Sequence, residues 1–141
     1  KKISISGQKK IKNSKVLIIG MGGLGNPLVT YLAAAGVGNL GIVDYDKVEL
    51  SNLGRQTLFD FSDIGKPKIE RAKFKINKIN KNIKIKLFKE KILKKNIENI
   101  FKGYDIICDG TDNFNTRYLI NGRSSVKIDP FSRPDMGEFV S

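Results

Sequence analysis

The sequence predicts an α/β fold of the Rossmann-like kind, with a mostly parallel sheet and helices on both faces. The first observation is the apolar run Lys15–Ile19, which predicts a strand buried on both faces, as strands of parallel sheets are. The second is the glycine-rich turn Gly20–Gly25 that ends this run. The third is the uncharged stretch Leu24–Ala35, which predicts a buried helix. Strand, glycine turn and helix in this order are typical of a nucleotide-binding βαβ unit.

The other elements follow from the spacing of apolar residues. Gly36 ends the first helix, and Leu40–Val43 predicts a second short strand. Residues 45–65 have no strong periodicity and predict a long loop that could include one short helix. The later predicted elements are a helix over Lys68–Ile79, a strand over Ile83–Leu87 with one exposed face, a short helix over Lys94–Phe101, a strand over Tyr104–Cys108 and a helix through Arg117–Asn121. No repeat or linker interrupts residues 1–141, so we expect a single domain.

Composition excludes several classes of protein. No apolar run approaches the roughly 18–20 residues of a membrane helix. The net charge of +12 comes almost entirely from scattered lysines and has no nucleic-acid-binding motif beside it. We therefore expect no membrane association and no specific nucleic acid, and a basic surface suited to an acidic protein partner. The single Cys108 and the lack of an apolar leader favour the cytoplasm.

The glycine-rich turn carries the first chemical signal. Gly20, Gly22 and Gly25 have the spacing G-x-G-x-x-G between a predicted strand and a predicted helix. Glycines let backbone N–H groups approach a phosphate, whose negative charge the helix N-terminus favours. Gly23 removes one more side chain from the same surface. We therefore predict a nucleotide site rather than a turn that only packs helix on strand.

Asp44 is the second signal, and it leaves the cofactor open. It ends the second predicted strand, 19 residues after Gly25. A carboxylate at this position can accept hydrogen bonds from both ribose hydroxyls, in NAD as well as in ATP. Asp46 is a weaker candidate for the same site and could instead shape the loop.

The polar segment Ser51–Gln56 and the later Lys68 distinguish between these cofactors. An ATP site that breaks the link between the α and β phosphates needs positive charge, because negative charge develops there in the transition state. Arg55 offers a forked donor and Lys68 a movable point charge. Asn52 could fix a phosphate or a metal-bound water, and Ser51 belongs to the same predicted site.

A last polar group, Asp109–Asn113, follows the predicted strand Tyr104–Cys108. Ligands of open α/β sheets bind at the carboxyl ends of strands. The oxygens of Asp112 and Asn113 could bind Mg²⁺, or Asp112 could cap the next helix, and these roles are compatible.

Taken together, these motifs resemble the ThiF/MoeB/HesA family, relatives of the ubiquitin-activating enzymes. The resemblance runs from about Gly7 to Asn121, in segments that keep the family's order and spacing: Gly20–Gly25, Asp44–Asp46, Ser51–Gln56, Gly65–Lys68 and Asp109–Asn113. It implies an ATP-dependent adenylyltransferase of thiamine or molybdopterin biosynthesis. Family members activate the C-terminal glycine of a ubiquitin-like sulfur-carrier protein as an acyl-adenylate and release pyrophosphate.

The resemblance also implies roles for residues of the site and for partners. Arg55, Lys68 and Asp112 are implied to act in catalysis, and Asp112 also to face Mg²⁺. The implied partners are a sulfur-carrier protein ending in Gly-Gly and a second copy of the chain in a homodimer. The residues predicted to bind ATP are Gly20, Gly22, Gly23, Gly25, Asp44, Asp46, Ser51, Asn52, Arg55, Lys68, Asp112 and Asn113.

The chain departs from the family pattern beyond Asn121. It lacks the two Cys-x-x-Cys pairs that hold structural zinc in the family, so we expect no structural zinc and a truncated C-terminal part of the fold. Cys108 closes an apolar strand and is expected to be an inert buried residue. Two alternatives stay open. One is an NAD(P)-dependent Rossmann oxidoreductase, which the glycines and Asp44 alone would support, and the other is a truncated nucleotide-binding pseudoenzyme.

Overall fold

The computed structural model describes residues 4–111 and 127–128. The helices are α1 Ile5–Asn13, α2 Gly25–Ala35, α3 Lys68–Ile79 and α4 Ile97–Phe101. The strands are β1 Lys15–Ile19, β2 Asn39–Val43, β3 Lys84–Phe88, β4 Ile106–Asp109 and β5 Lys127–Ile128. Between β2 and α3 the chain also forms two short 3-10 helices, Leu50–Asn52 and Phe61–Asp63.

The strands form one sheet in the order β3-β2-β1-β4-β5, and every neighbouring pair is parallel. The chain therefore leaves β1 toward β2 on one side and returns to β4 on the other. This reversal of strand order is the topological switch point of doubly wound sheets, where ligands bind beyond the carboxyl ends of the strands. The predicted Rossmann-like fold is confirmed.

Two apolar layers cover the two faces of the sheet. α2 and α3 pack on one face through Val29, Ala33, Ile69, Ala72 and Ile76, against buried residues of β1 and β2. α4 packs on the other face through Ile97 and Ile100, against residues of β1, β2 and β4. Strand β1 contributes alternate residues to both layers, which is why its sequence is a continuous apolar run.

Several predicted boundaries differ from the structure. The helix predicted from Lys94 begins at Ile97, because the Asn96 side chain accepts a hydrogen bond from Leu93 N–H and donates to the Lys91 carbonyl, which holds a turn there. β4 begins at Ile106, two residues after the predicted Tyr104. β3 lies one residue later than predicted.

Helix α1 is not among the predicted elements. Ser4 caps it by accepting a hydrogen bond from the Gly7 N–H at 3.1 Å, and the helix has no buried residue. In this helix only Ile11 packs, partly buried, against the core, so the sequence lacks the apolar periodicity that reveals helices. The predicted helix through Arg117–Asn121 lies outside the described residues, and the single domain over 1–141 stays a prediction. Among the described residues, no helix is long and apolar enough to cross a membrane.

Candidate nucleotide site

A cleft of about 320 Å³ lies at the carboxyl edge of the sheet, over the ends of β1, β2, β3 and β4. It occupies the switch point described above. Most of the predicted site residues line it, although they come from four separate parts of the sequence. The predicted residues that line the cleft are Gly20, Gly22, Gly23, Asp44, Asp46, Asn52, Arg55 and Lys68.

The remaining predicted site residues do not line the cleft in the described structure. Gly25 is buried beneath the glycine turn, and Ser51 is exposed on the 3-10 helix Leu50–Asn52. Asp112 and Asn113 lie outside the described residues, so their predicted roles, including the Mg²⁺ ligand, stay predictions.

Close backbone packing explains why the first and last positions of the turn, Gly20 and Gly25, are glycine. Gly20 has a φ of +90°, and a Cβ on it would lie 3.1 Å from the Gly110 carbonyl carbon. A Cβ on Gly25 would collide with the carbonyl oxygen of Gly20. The turn therefore requires glycine at both positions, because a side chain at position 20 would press on the backbone after β4 and one at position 25 would push α2 away from β1. Gly22 and Gly23, which line the cleft, directly precede the N-terminal end of α2, where the helix dipole is positive and no side chain caps the helix.

Asp44 fastens the turn to the end of β2. Its Oδ2 accepts a hydrogen bond from the Met21 N–H at 2.7 Å, and its Oδ1 accepts one from the Asp46 N–H at 2.8 Å. Each carboxylate oxygen can accept a further hydrogen bond from a ligand. The carboxylate can thus shape the cleft and also bind a hydroxyl within it.

The pKa of Asp46 is raised above that of an isolated aspartate. Partial removal from water raises its pKa, the negative charge of Asp44 raises it further, and the positive charge of Lys68 opposes both effects. The backbone joins the same residues, since the Lys68 N–H donates to the Asp46 carbonyl at 3.0 Å. The start of α3 is therefore held against the end of β2.

Lys68 and Arg55 supply positive charge to the cleft, together with Lys91 after β3. The Lys68 side chain is buried, with only 6% of the residue exposed, and it belongs to the first residue of α3. A cation at a helix N-terminus is opposed by the helix dipole, and burial adds a further cost. Within the described residues every salt bridge involves Arg71 or Lys75, so neither Lys68 nor Arg55 has a carboxylate within 4.0 Å. Lys68 interacts electrostatically with Asp46, but neither it nor Arg55 forms an ion pair among the described residues, so both can bind an anionic ligand.

Asn52 has one half of its amide free for a ligand. Its Oδ1 accepts a hydrogen bond from the Glu49 N–H at 2.8 Å and closes the 3-10 turn Leu50–Asn52. In the part of the chain that the structure describes, no hydrogen bond from its Nδ2 is present. The amide can therefore donate into the cleft while its oxygen holds the turn.

Residues 45–65, predicted as a loop, are tied down at both ends. Val48 N–H donates to the Lys66 carbonyl at 2.9 Å, and Gly65 N–H donates to the Val48 carbonyl at 2.8 Å. The buried Asp63 forms ion pairs with Arg71 and with Lys75, whose Nζ lies 3.1 Å from Asp63 Oδ2. The segment that carries Asn52 and Arg55 is thus fixed to α3, which carries Lys68.

Three further features of the cleft are not among the predicted site residues. Gln56 is buried and its Oε1 has no hydrogen-bond partner among the described residues. Glu90–Ile92 line the cleft after β3, and the rule that ligands bind at strand ends could have indicated them. Thr111 also lines it, held by hydrogen bonds from its N–H and Oγ1 to Asp109 Oδ1 at 2.9 and 2.7 Å. Gln56 follows Arg55 directly, but only its burial distinguishes it from other loop residues.

Cys108 is buried within β4. Burial raises the pKa of its thiol to about 11, so the thiol stays protonated near neutral pH. Since the thiolate is the reactive form, its expected burial and inertness agree with the structure.

The sheet order and the glycine turn at the switch point define a Rossmann-like α/β protein whose cleft is built around an anion-attracting turn. The chain belongs to the ThiF family, whose model matches residues 1–131.

Similar proteins carry names consistent with this family. The chain is 46% identical over 129 residues, 92% of its length, to "Probable adenylyltransferase/sulfurtransferase MoeZ" of Mycobacterium tuberculosis. It is 50% identical over 117 residues, 83% of its length, to "Adenylyltransferase and sulfurtransferase UBA4" of Saccharomyces cerevisiae. These matches cover 33% and 27% of the two relatives, so the chain spans about a third or less of their length.

Solved structures share the fold. A crystal structure of E. coli MccB with succinimide matches with a TM-score of 0.74 and 37% identity, over 81% of this chain and 33% of that chain. The predicted family and fold are therefore both confirmed.

Proposed function

We propose that the cleft binds ATP and that this chain is the adenylate-forming part of an enzyme that activates the C-terminal glycine of a ubiquitin-like sulfur-carrier protein. The observation that carries the proposal is the convergence of Lys68 and Arg55, neither paired with a carboxylate among the described residues, on the glycine turn that follows β1. A triphosphate supplies the negative charge that this pair of cations lacks. The names of the relatives, which include adenylyltransferase and sulfurtransferase, support the same reaction.

The cations favour ATP over a dinucleotide cofactor. A pyrophosphate such as that of NAD is bound largely by the N–H groups of a glycine turn and a helix N-terminus. A buried ammonium and a guanidinium in addition suit a group on which charge increases during reaction. Asp44 fits the ribose of either molecule and does not discriminate between them.

The proposed reaction is a displacement at the α-phosphorus. A carboxylate oxygen of the carrier's terminal glycine forms a bond to the α-phosphorus, and the bond from that phosphorus to the oxygen bridging to the β-phosphate breaks. The products are the acyl-adenylate and pyrophosphate, which takes the electron pair of the broken bond. No general base is required, because the attacking carboxylate is already ionised at neutral pH.

The chain's own groups would stabilise the charge of this transition state. Arg55 can donate two parallel hydrogen bonds to phosphate oxygens, and Lys68 can place a positive charge against them. The glycine turn and the start of α2 would hold the phosphates through N–H groups. Catalysis would then consist of positioning and charge stabilisation rather than proton transfer.

Mg²⁺ is part of the proposal through Asp112. Mg²⁺ commonly binds through one or two carboxylates together with substrate phosphates and water. Among the described residues no group of three or more His, Cys, Asp or Glu side chains could hold a metal ion. A site completed by phosphates is compatible with that finding, and bound Mg²⁺ would supply further positive charge against the phosphates.

The finer points of the partner assignment rest on the sequence resemblance. They are the Gly-Gly ending of the carrier, a homodimer, and a role in molybdopterin or thiamine biosynthesis in the cytoplasm. Supporting evidence for a carrier of sulfur comes from the double names of the relatives, adenylyltransferase and sulfurtransferase.

Two measurements test the proposal. Calorimetric titration of the chain with ATP–Mg²⁺ and with NAD is expected to give saturable binding of ATP only. Tight binding of NAD without binding of ATP would replace the proposal with the oxidoreductase alternative. Exchange of labelled pyrophosphate into ATP, started by a purified carrier ending in Gly-Gly, is expected to show adenylate formation. ATP binding without exchange would favour the pseudoenzyme alternative.

A further inference from the structure

Asn26 connects two parts of the cleft wall that are distant in sequence. Its Nδ2 donates to the Met21 carbonyl at 2.9 Å and to the Gly22 carbonyl at 3.1 Å. Its Oδ1 accepts a hydrogen bond from the Leu58 N–H at 2.9 Å. One amide therefore holds the glycine turn on one side and the segment after Arg55 on the other.

The partners of Asn26 fix the orientation of its amide. Two carbonyl oxygens can only accept, and a backbone N–H can only donate, so the Nδ2 and Oδ1 positions cannot be exchanged. Asn26 is 1% exposed, and both halves of its amide are engaged with protein. Removal of this amide would take hydrogen-bond partners from the Met21 carbonyl and the Leu58 N–H, while the Gly22 carbonyl would still accept from the Asn26 backbone N–H at 3.0 Å.

Backbone hydrogen bonds connect the segment at Leu58 to Asn52 and Arg55, the predicted phosphate contacts. Phe59 N–H donates to the Gln56 carbonyl at 3.1 Å, and the N–H groups of Arg55 and Gln56 both donate to the Asn52 carbonyl, at 3.0 and 2.8 Å. These bonds form two successive turns that share Gln56, here called together the 52–59 turn. A displacement at Leu58 would therefore move the backbone of Arg55.

We propose that Asn26 is a positioning residue that keeps the glycine turn and the 52–59 turn in register, so that loop N–H groups and Arg55 meet the same phosphate group. The proposal rests on the proposed function for its ligand, ATP. It goes beyond that function because Asn26 does not line the cleft and would act only through its neighbours. A matched residue exists for comparison. Asn80 joins the end of α3 to the Ala33 carbonyl at 3.2 Å and accepts from the Asn82 N–H at 3.0 Å, away from the cleft.

The test combines a double-mutant cycle with hydrogen exchange. The variants are Asn26→Leu, of similar volume, and Asn26→Asp, which retains an acceptor for Leu58 but turns a carboxylate oxygen toward two carbonyls. Asn80→Leu is the control. ATP–Mg²⁺ affinity is measured for each with Arg55 present and with Arg55→Ala, under conditions in which circular dichroism shows a folded protein.

We expect Asn26→Leu to weaken ATP binding about tenfold and to reduce the penalty of Arg55→Ala by at least about threefold, since residues that act together are not additive. Exchange of the Leu58 amide without ligand should accelerate in Asn26→Leu, which removes its acceptor, and accelerate less in Asn26→Asp, which keeps one. Asn80→Leu should change neither the affinity nor the effect of Arg55→Ala.

The possible outcomes distinguish failure of the positioning role of Asn26 from failure of the proposed ATP-binding function. Additive effects of Asn26→Leu and Arg55→Ala, or an unchanged Leu58 exchange rate, would overturn the positioning role. If Asn26→Leu does not fold, the coupling between Asn26→Asp and Arg55→Ala decides, and additive effects of that pair would overturn the positioning role. If the unsubstituted chain binds no ATP, the proposed function fails, and the Leu58 exchange rate alone then decides whether Asn26 ties the two turns together.

Discussion

The Asp44 carboxylate accepts a hydrogen bond from the Met21 N–H at 2.7 Å, so the end of β2 holds the turn that leaves β1. A side chain expected to bind a ribose thus also has a structural role. The two roles are compatible, because a carboxylate oxygen can accept more than one hydrogen bond. They also mean that substitutions of Asp44 change stability and ligand affinity together.

Asp44→Ala is expected to lower both the free energy of unfolding and the affinity for ATP. The loss of stability should be about 1–3 kcal/mol, because two backbone N–H groups lose their acceptor. Asp105→Ala is the control, since Asp105 accepts from the Lys15 N–H at 3.0 Å at the opposite edge of the sheet. It should affect stability without affecting ATP. Equal ATP affinity in all three proteins would remove Asp44 from the site.

Arg55→Ala and Lys68→Met are each expected to abolish carrier-dependent pyrophosphate exchange while leaving the fold intact. Lys68→Met should also raise the melting temperature, because it removes a buried cation from the start of α3. Lys73→Ala, on the exposed side of the same helix, is the control and should leave exchange unchanged. Unaltered exchange in either Arg55→Ala or Lys68→Met would exclude that residue from the mechanism.

Two glycines of the same turn should respond oppositely to alanine. A Cβ on Gly25 would collide with the Gly20 carbonyl oxygen, so Gly25→Ala should lower the melting temperature of the unliganded protein. A Cβ on Gly23 would meet nothing within 4 Å. Gly23→Ala should therefore leave stability nearly unchanged and weaken ATP binding, because the added methyl group stands in the cleft. Thermal unfolding with and without ATP separates the two effects, and a Gly23→Ala protein with normal affinity would contradict the predicted phosphate contact.

The elements that the sequence predicts well are those whose own residues are buried periodically. The predicted ends of α3 match the observed ones because Ile69, Ala72 and Ile76 recur at helical spacing on one buried face. The predicted ends of β1 match because the sheet is covered on both sides. α1 has no such buried face, so its sequence carries no comparable signal.

The site residues also differ in whether a local sequence signal predicts them. Glycine spacing and an acidic strand end are local signals, so the amino-acid sequence alone identifies the turn and Asp44. Asn26 and Gln56 differ, because their importance comes from contacts with residues distant in sequence or from burial alone. Neither Asn26, at the start of α2, nor Gln56, in a loop, has a sequence sign that folding will bury it.

The ion pairs of Asp63, which connect the 45–65 segment to α3, should weaken when the pH is lowered. Burial would raise the pKa of Asp63, but hydrogen bonds from the Asp60 N–H and from Arg71 and Lys75 lower it below its ordinary value of 3.8. A lowered pKa in the folded state gives stability that is present above pH 3.8 and is lost as pH falls below it. Asp63→Asn should therefore be less stable than the unsubstituted chain at pH 7, and the difference should shrink as pH falls below about 4.

Substitution of Asp46 is a control for which the opposite change in stability is expected. Its pKa is raised, first by partial removal from water and then by Asp44, so its ionised form opposes folding above that pKa. Asp46→Asn should be more stable than the unsubstituted chain at pH 7, with a difference that vanishes in acid. Urea unfolding from pH 7 to pH 3 measures both differences. A pH-independent penalty for Asp63→Asn would show that its carboxylate acts through packing rather than charge.

Gln56 offers a test in which stability and binding should move in opposite directions. The residue is buried beside Gly22, and its Oε1 lacks a hydrogen-bond partner among the described residues. An unpaired buried acceptor costs about 1–3 kcal/mol, so Gln56→Met, which keeps the length of the side chain, should raise the melting temperature of the unliganded protein. If bound ATP or its associated water supplies the missing partner, the same substitution should weaken ATP binding. Calorimetry on the free and titrated protein measures both quantities. A variant that is less stable and binds ATP normally would show that the amide serves packing alone, whereas greater stability with weaker binding would identify Gln56 as a ligand contact that the turn keeps unpaired until ATP arrives.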